Sequence, residues 1–142
     1  MGLRLVHPDD LTEAQKIQVS EGIIATNATV PHLSKVEGTR MSFVSDSENR
    51  IIGSLVEMPV EDGVIEIGTR FWVFTPRIAL LLNDWVDSLL RSYNAVIARV
   101  YPSNWRVKKL LVRGGFRLFR IEDGLEHFIV TPAAFMGRRR SE

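Results

Sequence analysis

Residues 64–101 read VIEIGTRFWVFTPRIALLLNDWVDSLLRSYNAVIARVY, and the fold follows from this stretch. Val64 to Phe74 is dense in β-branched and aromatic residues, the composition of a strand. Thr75-Pro76 then starts a helix in the favoured way, with a threonine cap and a proline in the first turn, where no N–H is needed. Ile78, Leu81, Leu82, Trp85, Val86 and Leu89 recur at the i, i+3, i+4, i+7 spacing that gives a helix one apolar face. Ala95 to Tyr101 reads as a buried strand. A strand, a crossover helix and a second strand form a right-handed unit, so the two strands lie parallel in one sheet.

Upstream, turn-rich clusters separate short strands. Met41–Val44 ends in Asp46-Ser47-Glu48-Asn49, Arg50–Met58 follows, and Glu61-Asp62-Gly63 turns the chain into Val64–Phe74. Strands joined by such turns are antiparallel hairpins. The chain opens with Leu3–Val6 as a strand. A helix capped by Asp9 or Asp10 is expected next, with Glu13 completing a capping box, running to about Ala25. Thr26 to Gly38 reads as a loop with one short helical turn near Leu33. Downstream, Pro102-Ser103 is expected to cap a short helix that ends at Gly114-Gly115. Phe116–Ile121 and Leu125–Val130 close the chain as a hairpin over Asp123-Gly124. The fold class is therefore α/β, a mixed and mostly antiparallel sheet of six or seven strands flanked by three or four helices.

Composition narrows the function. The 142 residues, 45% apolar and 25% charged, suit one globular domain spanning 1–142 with a short basic tail from about 133. With no cysteine, disulfides, thiolate nucleophiles and zinc–sulfur sites are excluded. His7, His32 and His127 are scattered without metal-ligand spacing, so no metal site is expected. A net charge of +1 gives no global field to recruit nucleic acid, and Arg138–Arg140 reads as a solvated terminus. No apolar run reaches the roughly 20 residues of a membrane span. The start, MGLRLVHPDD, has no signal-peptide pattern, so a soluble, cytoplasmic protein is expected.

Asn104, Val107, Leu110 and Gly115-Phe116 resemble the last helix of the GNAT N-acetyltransferases, which carries Asn at its start and runs into a Gly-Phe pair. Val64–Gly68 is similar to that family's fourth strand, and the element order matches along nearly the whole chain. The resemblance implies a site for acetyl-CoA, with Phe74, Thr75, Arg77 and Asn104 as the positions that would touch the cofactor. It also implies Glu66 as the candidate base that accepts the amine proton. The plainer reading of Glu66 is an outward-facing carboxylate paired with Arg70 or Arg50, and the plainer reading of Asn104 is a helix cap.

The sequence departs from the family pattern at two places. The family's glycine-containing loop cradles pyrophosphate on free amides at a helix N-terminus, but Phe74-Thr75-Pro76-Arg77-Ile78-Ala79-Leu80-Leu81 has no glycine, and Pro76 removes a donor. Where members often place an acidic tyrosine, seven residues after the Asn, stands Leu111, which has no proton to give. Arg70–Thr75 and Asn104–Phe116 are also similar to small GNAT-like proteins of tailed phages, some of them internal virion or assembly proteins of short-tailed phages.

These features together point to a GNAT-like chain with a degraded cofactor site and no bound cofactor. Its expected role is structural or interaction-based, with a protein partner or larger assembly, in the cytoplasm or a virion. The alternative is a divergent acetyl-CoA-dependent N-acetyltransferase. Trp72 and Trp85 are expected to fill the core or a partner surface. Trp105, early in a short helix, is the indole placed to anchor an interface.

Overall fold

The structure, a computed structural model, describes residues 2–26 and 38–135. Chain order is β1 (Arg4–Val6), a 3-10 turn (Pro8–Asp10), α1 (Glu13–Thr26), β2 (Arg40–Ser45), β3 (Ile51–Glu61) and β4 (Val64–Phe71). Then come α2 (Arg77–Leu90), β5 (Ala95–Val100), α3 (Trp105–Arg113), β6 (Arg117–Glu122) and β7 (Leu125–Val130). The seven strands form one sheet in the order β1-β2-β3-β4-β5-β7-β6. β4 and β5 pair in parallel from Val64↔Ala95 to Ile67↔Ala98, while β1–β2, β2–β3, β5–β7 and β6–β7 are antiparallel. This is the expected α/β class with its crossover unit in the middle.

Several boundaries differ from the sequence reading, each for a local reason. The capping box of α1 belongs to Thr12 and Gln15, not to Asp10 and Glu13. Gln15 N–H donates to Thr12 Oγ1 at 3.1 Å and Thr12 N–H donates to Gln15 Oε1 at 2.9 Å. Pro8 to Asp10 instead close a 3-10 turn capped by His7, whose Nδ1 accepts from Asp9 N–H. β4 stops at Phe71 rather than Phe74 because Trp72 and Val73 both donate their N–H to the Ile52 carbonyl, at 3.0 and 3.4 Å. Two donors on one acceptor break the ladder, as at a bulge. Asn104, not Pro102-Ser103, caps α3. A helical turn covers 132–135, with Thr131 Oγ1 accepting from Ala134 N–H at 3.3 Å and Phe135 buried. The loop read at Thr26–Gly38, apart from its ends, and the Arg138–Arg140 cluster lie outside the described residues.

The chain divides into two compact units, Met1–Met58 with Gly68–Leu81, and Pro59–Ile67 with Leu82–Glu142. In the first, Val6, Phe43 and Ile51 form a core against which Leu11, Val19 and Trp72 pack. Trp72 fixes its indole there by donating Nε1–H to the Ile51 carbonyl at 2.9 Å. In the second unit the register puts Ile65 beside Val96, Ile67 beside Ala98, and Phe128 opposite Ala98 on one sheet face. All of these are buried, as are Trp85, Val86 and Leu89 of α2 and Leu111 of α3. Each buried Val, Leu, Ile or Phe among them contributes about 1.5–3 kcal/mol of transfer free energy.

The Gly114-Gly115-Phe116 end of α3 is a Schellman motif. Phe116 N–H bonds the Leu111 carbonyl at 2.9 Å, and Gly115 N–H bonds that of Val112 at 3.1 Å. Gly115 takes φ +92°, a conformation open to glycine at no steric cost. Phe116 and Leu111, the pair that meets across this motif, are both buried. The Gly-Phe pair thus has a structural reason to stand where it does.

Candidate functional site

In the second unit, the sheet face opposite the apolar one carries a row of ionisable groups. Glu66 lies opposite Ile97 in the parallel ladder, and β-strand alternation brings Arg99 to the same face. Arg99 Nε and Nη2 both donate to Glu66 Oε2, at 2.8 and 2.7 Å. Arg99 stands opposite His127, and His127 opposite Arg120. Arg120 Nε donates to His127 Nδ1 at 3.1 Å and lies 3.4 Å from Glu122 Oε2. The row therefore runs Glu66, Arg99, His127, Arg120, Glu122 across β4, β5, β7 and β6, acid at both ends and base within.

His127 is the buried member, 5% exposed, with Phe119 edge-on at 6.1 Å. Burial holds its imidazole below the ordinary histidine value, and the guanidiniums of Arg120 and Arg99 push the same way. Glu122 and Glu66 pull in the opposite direction without reversing the result. An imidazole accepting on Nδ1 from a cation carries its proton on Nε2 and stays neutral.

Glu66 is thus partnered by Arg99, not by Arg70 or Arg50 as expected. Arg50 is engaged elsewhere, with Asp46 at 2.9 Å and Glu48 at 3.3 Å. An amine approaching Glu66 Oε2 would compete with a guanidinium for that oxygen. Sequence reading missed Arg99, His127, Arg120 and Glu122. The available signal was a lone arginine inside the apolar run Ala95–Val100, because a charge in a central strand needs a partner on its own face.

The remaining candidates fall at two helix starts. Phe74 is half-exposed beyond the end of β4. Thr75 closes the first turn of α2, its hydroxyl accepting from Arg77 N–H at 3.3 Å and its carbonyl from Ile78 N–H at 3.1 Å. Pro76 has no N–H to offer. Arg77 is the exposed first residue of α2, so Phe74, Thr75 and Arg77 come together in sequence and space. Asn104 caps α3, its Oδ1 accepting from Val107 N–H at 3.4 Å. Leu111 is buried and packs as a core leucine.

No protein-family model and no curated protein sequence matches the chain. Solved structures do match its backbone. The N-acetyltransferase PseH of Campylobacter jejuni superposes with a TM-score of 0.67 at 16% identity, over 92% of this chain and 98% of that one. The spermidine/spermine N-acetyltransferase SpeG of Vibrio cholerae, in mutant forms, gives 0.72 at 14% identity over 99% and 98%. PseH in complex with acetyl coenzyme A gives 0.65 at 16% identity over 92% and 99%. This is the GNAT fold. At such identities the likeness fixes the GNAT architecture and leaves the chemistry to the residues. Among the described residues, no helix is long and apolar enough to cross a membrane.

Proposed function

We propose that this GNAT-fold chain does not transfer acetyl groups and serves as a structural or interaction module whose partner is another protein. The observation that carries the reading is the state of the amides at the start of α2. Pyrophosphate needs donors aimed outward from a helix N-terminus. Here Pro76 has none, and the N–H groups of Arg77 and Ile78 are already bonded to Thr75. These residues do not fit the diphosphate of acetyl-CoA. The burial of Leu111 at the expected tyrosine position, and the guanidinium on Glu66 Oε2, add to the case. The similarity of Arg70–Thr75 and Asn104–Phe116 to small phage proteins supports a role in an assembly.

The second reading, a divergent acetyl-CoA-dependent N-acetyltransferase, is favoured by Glu66. It is a well-shielded carboxylate, 12% exposed, on the strand where the resemblance puts the base. PseH and SpeG are themselves N-acetyltransferases. Loss of the acid alone costs about 10²–10⁴-fold in rate, so a missing tyrosine does not exclude this reading.

Thermal unfolding with acetyl-CoA separates the two. A ligand at a hundred times its dissociation constant adds about 2.7 kcal/mol of stability. No shift is the expected result. An upward shift, together with turnover abolished by Glu66→Gln, would establish the enzyme.

A further inference from the structure

α3 has two unlike faces. Leu111 is buried, Val107, Lys108 and Leu110 are half-buried, and Lys108 reaches Glu126 at 3.2 Å. The outward face carries Trp105, Arg106, Lys109, Val112 and Arg113, all exposed. Trp105 is 58% exposed and Val112 60%. The Arg106 guanidinium lies 5.6 Å from the Trp105 ring centroid and the Lys109 ammonium 5.2 Å. No acidic residue occurs in the helix sequence WRVKKLLVR.

We infer that this face docks an acidic, partly apolar segment of a partner protein. The inference deepens the interaction reading proposed above and rests on it. Trp105 and Val112 stand seven residues apart on one stripe, the spacing at which a helix presents anchors to a partner. The indole is the side chain most enriched at binding hot spots. Lys109 against the ring and Arg113 on the same exposed face, in a helix whose own sequence has no acidic residue, complement a segment that brings acids beside its apolar residues. A single-stranded nucleic acid fits less well. Base stacking needs an open aromatic face, whereas Arg106 and Lys109 already lie against the Trp105 ring. The cations therefore present their charge around the indole rather than leaving it as a platform.

Fluorescence anisotropy on the full chain tests the inference, with a labelled amphipathic peptide of glutamate and leucine as the probe and a single-stranded oligothymidylate as the comparison. Saturable peptide binding is expected, weakening as salt rises. Lys109→Glu with Arg113→Glu should cut affinity by about tenfold or more, a difference of about 1.4 kcal/mol, at an unchanged melting temperature. Should that double variant unfold, Lys109→Gln with Arg113→Gln gives the same reading at lower charge. Trp105→Ala should likewise weaken binding without lowering stability. No saturable binding, an unchanged affinity in the charge variants, or tighter binding of the oligothymidylate would overturn the inference. A chain that ignores both the peptide and acetyl-CoA loses only this docking surface. A thermal shift with acetyl-CoA removes the reading beneath it.

Discussion

Arg99 sets two guanidinium nitrogens on a single oxygen of Glu66, at 2.7 and 2.8 Å, from the neighbouring parallel strand. Glu66 is 12% exposed and Arg99 34%, so the pair lies between surface bridges worth roughly 0–1 kcal/mol and buried ones whose breaking costs about 3–5. Glu66→Gln keeps an acceptor but removes the charge that Arg99 faces. The expected cost is about 1–2 kcal/mol, a fall in melting temperature of roughly 3–8 °C for a chain of this size. An unchanged melting temperature would show that the pair contributes nothing to the fold and would leave Glu66 to be explained by chemistry.

His127 makes stability depend on pH with a definite sign. The folded chain keeps the imidazole neutral through burial and the two arginines, while the unfolded chain protonates it near the ordinary value of about 6.5. Below that pH the unfolded state binds more protons, so the contribution of His127 is intact above about 6.5 and is lost as pH falls through the folded value. Asp46 acts in a separate window. Burial raises its carboxyl, but N–H groups from Arg50 and Glu48 and the Arg50 side chain hold it below its usual value, so its contribution is lost only below about pH 4. Melting temperatures from pH 7.5 down to 5 should therefore fall in the native chain. His127→Gln, which keeps an acceptor for Arg120, should flatten that slope, and an equally steep slope would place the titration elsewhere.

What could be read from the sequence was whatever periodicity encodes. The apolar stripe of α2 is buried at Ile78, Trp85, Val86 and Leu89, and the turns at Asp62-Gly63 and Asp123-Gly124 join strands as expected, with both glycines at positive φ. Where two local patterns competed, sequence had no way to choose. Asp10 with Glu13 and Thr12 with Gln15 share one spacing, and the 3-10 turn at Pro8 decides between them. Trp72 to Phe74 have the composition of a strand, yet the Ile52 carbonyl draws two of their amides and ends it. The Glu66–Arg99 pair spans 33 residues, and only the parallel register brings its members together. At the candidate site, the amides of Arg77 and Ile78 were out of reach for the same reason, since a missing glycine is visible in sequence but an occupied donor is not.

Asn104 distinguishes a cap from a ligand contact. Its Oδ1 accepts from Val107 N–H at 3.4 Å, a long bond, so Asn104→Ala should cost about 0.5–1 kcal/mol, the lower part of the range for a lost N-cap. Asn104→Asp keeps the acceptor and adds a negative charge at the positive end of the helix dipole, and should match or exceed the native stability. Urea denaturation of both variants checks the ranking. An Asp variant less stable than the Ala variant would mean that Asn104 is not held as a cap.

Gly22 inverts the usual rule for glycine in a helix. Replacing an interior helical glycine by alanine ordinarily stabilises by roughly 0.5–1 kcal/mol. At Gly22 the added Cβ would run into the six-membered ring of Trp72. That ring has little room to retreat, because Nε1–H is bonded to the Ile51 carbonyl at 2.9 Å and the indole packs on Val6, Phe43 and Ile51. Gly22→Ala should therefore destabilise by about 1–3 kcal/mol, the cost of overpacking a filled site. Trp72→Leu alone should also destabilise, through lost burial and a lost hydrogen bond. Combined, the two changes should cost less than their sum, since the smaller side chain makes space for the methyl group. Additive losses in a denaturant series would mean that α1 shifts to accommodate the methyl and that Gly22 and Trp72 are not in contact in solution.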